Sequence, residues 1–160
     1  MIHHFNKSLN DKHVSELIME LDKINKEDGQ HTLYFTSCGG DSCSTELLLY
    51  YLNTQCLDWK LIGHSELYSN GFDIVVRFKG TKKILSDTII MLHIKSFTVH
   101  MRELKNSNST LQRAQDDLDY SNKKYIKLLK KIGVPKKYIK SVVSGKDIYL
   151  YELDIKKLKI

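Results

Sequence analysis

The chain has 160 residues, 41% apolar and 28% charged. That is the size and composition of one compact domain with a sizeable core. A single proline, no Gly/Ser-rich tract, no repeat of fixed period and no apolar run of bilayer length speak against disordered, solenoid and membrane-spanning classes. The formal charge of +6 is uneven: residues 123–160 hold 12 lysines against three acids, which leaves the rest slightly acidic.

The N-terminal MIHHFNKSLN lacks the cationic start, apolar stretch and small-residue cleavage site of a secretory signal, so a cytoplasmic location is expected. From Asp11 to Ile24, Val14, Leu17, Ile18, Leu21 and Ile24 keep helical spacing, with Asn10 or Asp11 as cap. TLYFT then reads as a strand entering the glycine loop Ser37-Cys38-Gly39-Gly40-Asp41-Ser42. STELLLYYLN is helical in pattern, with Asp41 or Ser42 capping it. WKLIGH is a short strand, SELYSNG follows, and FDIVVRFKG has helical character; TKKILS and TIIMLHIKSF are two further strands. Leu111, Ala114, Leu118, Tyr125, Ile126, Leu129 and Ile132 mark a long helix stopped by Gly133. Pro135 suits the first turn of a helix through Val143, and IYLYELDIKKLKI closes the chain as a short strand and helix. No linker interrupts this order, so one α/β domain spanning residues 1–160 is expected.

The C-terminal lysines interleave with a regular apolar pattern, which favours a solvated helix face over a nucleic-acid patch; no arginine cluster or aromatic platform supports base recognition. Cys38, Cys43 and Cys56 are odd in number, lack the paired spacing of a zinc site and read as small apolar residues.

Four short features could carry chemistry. A strand ending in Gly39-Gly40-Asp41 before a helix gathers backbone N–H groups as an oxyanion hole or phosphate cradle would. It fits neither the P-loop nor the dinucleotide fingerprint, and a simple tight turn is its ordinary role. Ser69 sits between a strand and a helix, where the Asn70 N–H could meet an oxyanion, although serine often only caps there. His93 lies in the apolar run IIMLHI, and Asp147 leads into the last strand, where a turn or cap is its ordinary role.

Taken in order, these features resemble the proteolytic subunit of the Clp protease, a relative of the crotonase superfamily. The family's Ser-Pro-Gly-Gly-Asp stands here as Ser37-Cys38-Gly39-Gly40-Asp41, Ser-Met-Gly as Ser69-Asn70-Gly71, Met-Ile-His as Met91-Leu92-His93, and Arg-Asp as Lys146-Asp147. His93 follows Ser69 by 24 residues and precedes Asp147 by 54, close to the family's separations. The resemblance covers the chain from about Phe5 to Ile160. It implies a Clp/crotonase-like fold of repeated β-β-α units with a long C-terminal helix.

It further implies a serine endopeptidase: Ser69 as nucleophile, His93 as base, Asp147 orienting the imidazole, and Gly39 and Asn70 as oxyanion donors. Substrate would lie extended beside Gly40, Asp41 and Ser42 and beside Ile94, Lys95, Ser96 and Phe97. No metal or cofactor is implied; the partners would be a peptide or unfolded protein substrate and further copies of the chain in a ring or smaller oligomer.

Three departures shape what carries over. Cys38 replaces the loop proline but leaves both glycines. The segment after His93 lacks the Gly-rich hairpin that interlocks two rings, so paired-ring assembly is not carried over; the short N-terminal stretch lacks the axial loops that engage an unfoldase, so a Clp-type ATPase partner stays possible but is not assumed. The competing readings are a catalytically silent Clp-like scaffold or binding subunit, a crotonase-like acyl-CoA enzyme, and a lysine-based nucleic-acid module.

Overall fold

The structure, a computed structural model, describes residues 1–96 and 108–160. These divide into two compact units, one of residues 1–92, 149–158 and 160, the other of 93–148 and 159 as far as they are described.

The first unit is built on parallel strand pairing. Strands β1 (Ile2–Asn6), β2 (Thr32–Ser37) and β3 (Lys60–Tyr68) alternate with helices α1 (Asp11–Ile24), α2 (Ser42–Gln55) and α3 (Asn70–Arg77). Then come β4 (Thr81–Ile84) and β5 (Ile89–Leu92), the one consecutive strand pair among the described residues. After the second unit the chain returns as β6 (Ile148–Leu150) and α6 (Glu152–Ile155). The sheet runs β1-β2-β3-β5-β6, with β4 beside β3. The protein is thus mixed α/β, with six helices and a six-stranded sheet among the described residues. None of these helices is long and apolar enough to cross a membrane.

The caps are local and legible. The Asn10 side chain accepts the His13 N–H at 2.9 Å to start α1. Asp41 accepts from Ser44 N at 2.7 Å to start α2, and this N–H holds the Asp41 carboxyl below its ordinary pKa. Alternation along β2 buries Leu33 and Phe35, and Phe35 stacks on Phe5 with ring centroids 5.2 Å apart. Phe72, Ile74 and Val75 of α3 are fully buried. Each such side chain contributes roughly 1.5–3 kcal/mol relative to exposure.

Three elements differ from the sequence expectation, one of them β5, which ends at Leu92 where TIIMLHIKSF is expected to be a strand. The segment Ile2–Asn6 is a strand, although its His-rich sequence has no strand-like pattern; pairing with β2, Ile2 opposite Thr32 through Asn6 opposite Thr36, creates it. The strand expected over WKLIGH starts at Lys60 and runs on through residues 65–68, the start of SELYSNG, as one strand. Phe35 pairs with Gly63 but Ser37 with Leu67, so four steps of β3 face two of β2. This bulge carries Ser65 at φ +55°, and Thr36 Oγ1 pins it by donating to Glu66 O at 2.8 Å and accepting from Glu66 N at 3.1 Å. The bent strand then pairs through Lys60–Gly63 with β4 and through Glu66–Tyr68 with β5.

In the second unit, α4 (Asn108–Lys131) and α5 (Lys136–Val143) pack together. Gly133 adopts φ +86° between them, and Val134 N returns to Leu129 O at 3.0 Å, which closes α4. Pro135 stands at the N-cap of α5.

Thr36→Val keeps the volume of the side chain but removes both bonds to Glu66. We expect a loss of about 1–2 kcal/mol in urea unfolding, from two backbone groups left without their partner.

Candidate functional site

The first unit brings Ser69, Asn70, Gly39, Gly40, Asp41 and Ser42 together; His93, Ile94, Lys95, Ser96 and Asp147 belong to the second unit. Phe97 lies outside the described residues.

Ser69 joins β3 to α3 at φ +53°, ψ −124°. Only glycine reaches these angles without strain, because a Cβ there crowds the backbone. Its N–H donates to Met91 O of β5 at 2.9 Å, and its carbonyl accepts from Phe72 N at 3.1 Å, so the bend is held from both sides. Although Ser69 occupies the N-cap position, its side chain makes no capping bond to α3. The ordinary role of a serine at this position is therefore not the one it plays.

Gly39, at φ +87°, lies against this bend. A Cβ on it would fall 2.7 Å from Tyr68 O, 2.8 Å from Ser69 Cβ and 3.3 Å from Asn70 N. Gly71 meets the end of β2 in the same way, since a Cβ there would sit 2.7 Å from Ser37 O. Both glycines stand where the glycine loop and the serine turn approach backbone to backbone.

The loop is also braced. Leu9 N donates to Gly39 O at 2.8 Å and Asp41 N to Leu9 O at 2.7 Å, a single parallel bridge centred on Gly40. Asn70, 4% exposed, donates through Nδ2 to Gly40 O at 2.7 Å and lies 3.4 Å from Ser42 Oγ. Its Oδ1 is buried and has no hydrogen-bond partner among the described residues. Asp41 caps α2, and Ser42 is the first residue of that helix.

The two backbone donors expected at an oxyanion differ. The Asn70 N–H opens the first turn of α3, where N–H groups have no intrahelical acceptor. The Gly39 N–H instead donates to the buried Ser37 Oγ at 3.1 Å. Cys38 and Cys43, expected to behave as small apolar residues, are exposed free thiols on either side of Gly39–Ser42, whereas Cys56 is buried and its thiol is pushed up to about 11. Desolvation is the main cause.

In the second unit, His93 is half-buried and directly follows β5 rather than lying inside a longer strand. The pairing explains this, because β3 offers β5 only Glu66 to Tyr68 before it turns at Ser69. Asp147 is exposed, unlike the buried orienting acid of the serine-protease template. Lys95 is held at both backbone groups by one side chain: its N–H donates to Asn122 Oδ1 at 2.9 Å, and Asn122 Nδ2 donates to Lys95 O at 3.1 Å.

Sequence reasoning did not find Ser37 Oγ, Leu9 or Asn122 in these roles. Ser37 belongs to the quoted glycine motif and could have been read as a side chain aimed back at the loop. Leu9 and Asn122 carry no local signal.

No model of a known protein family matches the chain, and no curated protein matches it.

Ser69→Gly should stabilise the fold by about 1 kcal/mol, since relief of roughly 1–3 kcal/mol of backbone strain exceeds the added freedom of the unfolded chain. Ser69→Ala keeps the strained backbone and should not gain this stability. Gly39→Ala should cost roughly 2–3 kcal/mol, because the new methyl group collides with Tyr68 O. Thermal melts of the three variants check these outcomes.

Proposed function

We propose that this protein is a serine peptidase of the Clp type, with a Clp/crotonase-like arrangement of its strands, that cleaves peptide bonds with Ser69 as nucleophile. The observation that carries the reading is the backbone of Ser69: a non-glycine residue at φ +53°, ψ −124° on a strand-to-helix turn, with no capping bond, packed against a glycine loop. Such a turn projects a serine hydroxyl away from the backbone beside helix-terminal N–H groups, the arrangement of a nucleophile elbow.

In this reading Ser69 Oγ attacks the scissile carbonyl carbon and its proton passes to His93. The protonated imidazole then protonates the leaving amine, and water hydrolyses the acyl-enzyme by the same route. The Asn70 N–H stabilises the tetrahedral oxyanion, joined by the Gly39 N–H once the charged oxygen displaces the neutral Ser37 hydroxyl; charge-assisted bonds are roughly twice as strong as neutral ones. The roles of His93 and Asp147 rest on motif order and on the resemblance. Substrate would be an extended peptide or unfolded protein, and the chain would work as an oligomer in the cytoplasm.

A second reading, a catalytically silent Clp-like binding subunit, is favoured by two observations. The Gly39 N–H is already bonded to Ser37 Oγ, and Asp147 is exposed.

Intact-mass labelling with a fluorophosphonate separates the two. Stoichiometric labelling of wild type that vanishes in Ser69→Ala is the expected result; a folded wild type that stays unlabelled selects the silent subunit. Among active enzymes, Asp147→Asn should lower turnover on the order of 10⁴-fold if this acid orients His93. An unchanged rate removes Asp147 from the mechanism.

A further inference from the structure

We infer that His3 and His31 form an acid-sensitive latch on the N-terminal strand β1, because the gap between their rings has room for one proton and not for two. The latch lies outside the candidate site and does not depend on the peptidase reading.

His31 is the fixed half. It is 4% exposed, and its ring stacks on Trp59 with centroids 4.6 Å apart and planes at 16°. Trp59 is itself buried, and its Nε1–H donates to Asn25 Oδ1 at 2.7 Å, so the indole against the imidazole is held in place. His31 Nε2 lies 3.2 Å from Glu27 O. A carbonyl oxygen only accepts, so Nε2 carries a hydrogen and Nδ1 of the neutral ring is an acceptor. That Nδ1 faces His3 Nε2 at 3.5 Å, where a hydrogen on His3 completes the set. A first added proton goes to the other nitrogen of His3 and leaves this arrangement intact. A second one, on His31 Nδ1, sets two N–H groups of two cations head to head.

The charges around His3 are the N-terminal ammonium of Met1, which adds to the repulsion, and Glu20 of α1 and Glu27 after it, which oppose it. Both glutamates are exposed, where solvent screens them. Burial first, and the charge of His31 second, hold His3 below its ordinary pKa of 6.5. A base whose folded-state value is lowered binds protons more readily when unfolded. Its full stability is therefore present above its ordinary pKa and is lost as the pH falls below it.

The loss falls on a strand with little else to hold it. β1 is at the edge of the sheet and pairs with β2 alone, His3 standing opposite Leu33. The same segment runs on to Leu9, whose N–H donates to Gly39 O and whose carbonyl accepts from Asp41 N. Acid that pushes His3 from His31 thus loosens one end of the segment whose other end braces the glycine loop.

The test follows thermal melting of wild type, His3→Gln, His31→Gln and the double variant at about pH 7.5 and about pH 5.5, either side of the ordinary histidine pKa. The fall in melting temperature on acidification, rather than its level, is compared, so a variant that is merely less stable does not mislead. Each single variant should show a smaller fall than wild type. The reduction in the double variant should be less than the sum of the two, because each single change already removes the repulsion. Falls equal to that of wild type overturn the latch, and strictly additive reductions overturn the shared proton. Hydrogen exchange of the wild type at the two pH values, corrected for the intrinsic rates, needs no variant. Residues 2–6 should lose protection at the lower pH more than residues 32–37, and residues 39–41 should follow them. An equal change along both strands overturns the latch, and an unchanged loop beside a released β1 overturns its link to the glycine loop.

Discussion

The missing side chain of Gly39 is the constraint on which the candidate site depends. Ser69 can hold φ +53° only where the chain is fixed on both sides and nothing fills the space in front of it. Gly39 leaves that space open, with any Cβ there falling under 3 Å from Tyr68 O and Ser69 Cβ. The strain of such a backbone, of order 1–3 kcal/mol, is offset by its surroundings. Ser69 N is bonded to Met91 O, and three fully buried apolar residues of α3 anchor the helix immediately after the turn. Local strain held by a well-packed frame is the condition under which an unusual backbone persists.

The bulge in β3 has the same character. Two extra residues and a positive φ at Ser65 bend the strand, so that its first half pairs with β4 and its second half runs beside β5 to Ser69. Thr36 holds this bend with a single hydroxyl that both donates and accepts. A regular strand would carry Tyr68 and the serine turn to a different place relative to the glycine loop. The bulge therefore sets the position of Ser69, and the loop sets its conformation.

Side-chain amides and hydroxyls do much of the remaining work on the backbone. Asn70 holds Gly40 O, Ser37 holds the Gly39 N–H, and Asn122 holds both groups of Lys95. Each satisfies a polar backbone group that a regular ladder does not reach, as partly buried groups require. The same groups are those that a peptide and its oxyanion would claim in the proposed mechanism. In that proposed mechanism the chain exchanges internal bonds for external ones.

The sequence by itself determined the elements with strong local signals. Helical spacing marked α1 and α2, their caps were narrowed to Asn10 or Asp11 and to Asp41 or Ser42, Gly133 and Pro135 separated α4 from α5, and the glycines and Ser69 stood out as a loop and a strand-to-helix junction. Those signals are legible because capping, periodicity and turn chemistry act within a few residues of chain. Tertiary structure alone decided the rest. The strand Ile2–Asn6 exists because β2 offers it a partner, β5 stops at Leu92 because β3 turns away, and the bulge breaks the alternation that would have marked one continuous β3. Whether Ser69 caps a helix or bends into a strained turn was equally hidden, because that choice belongs to the contact with Gly39, 30 residues earlier in the chain. Pairing, register and close approach join residues far apart in sequence, and no local pattern encodes them.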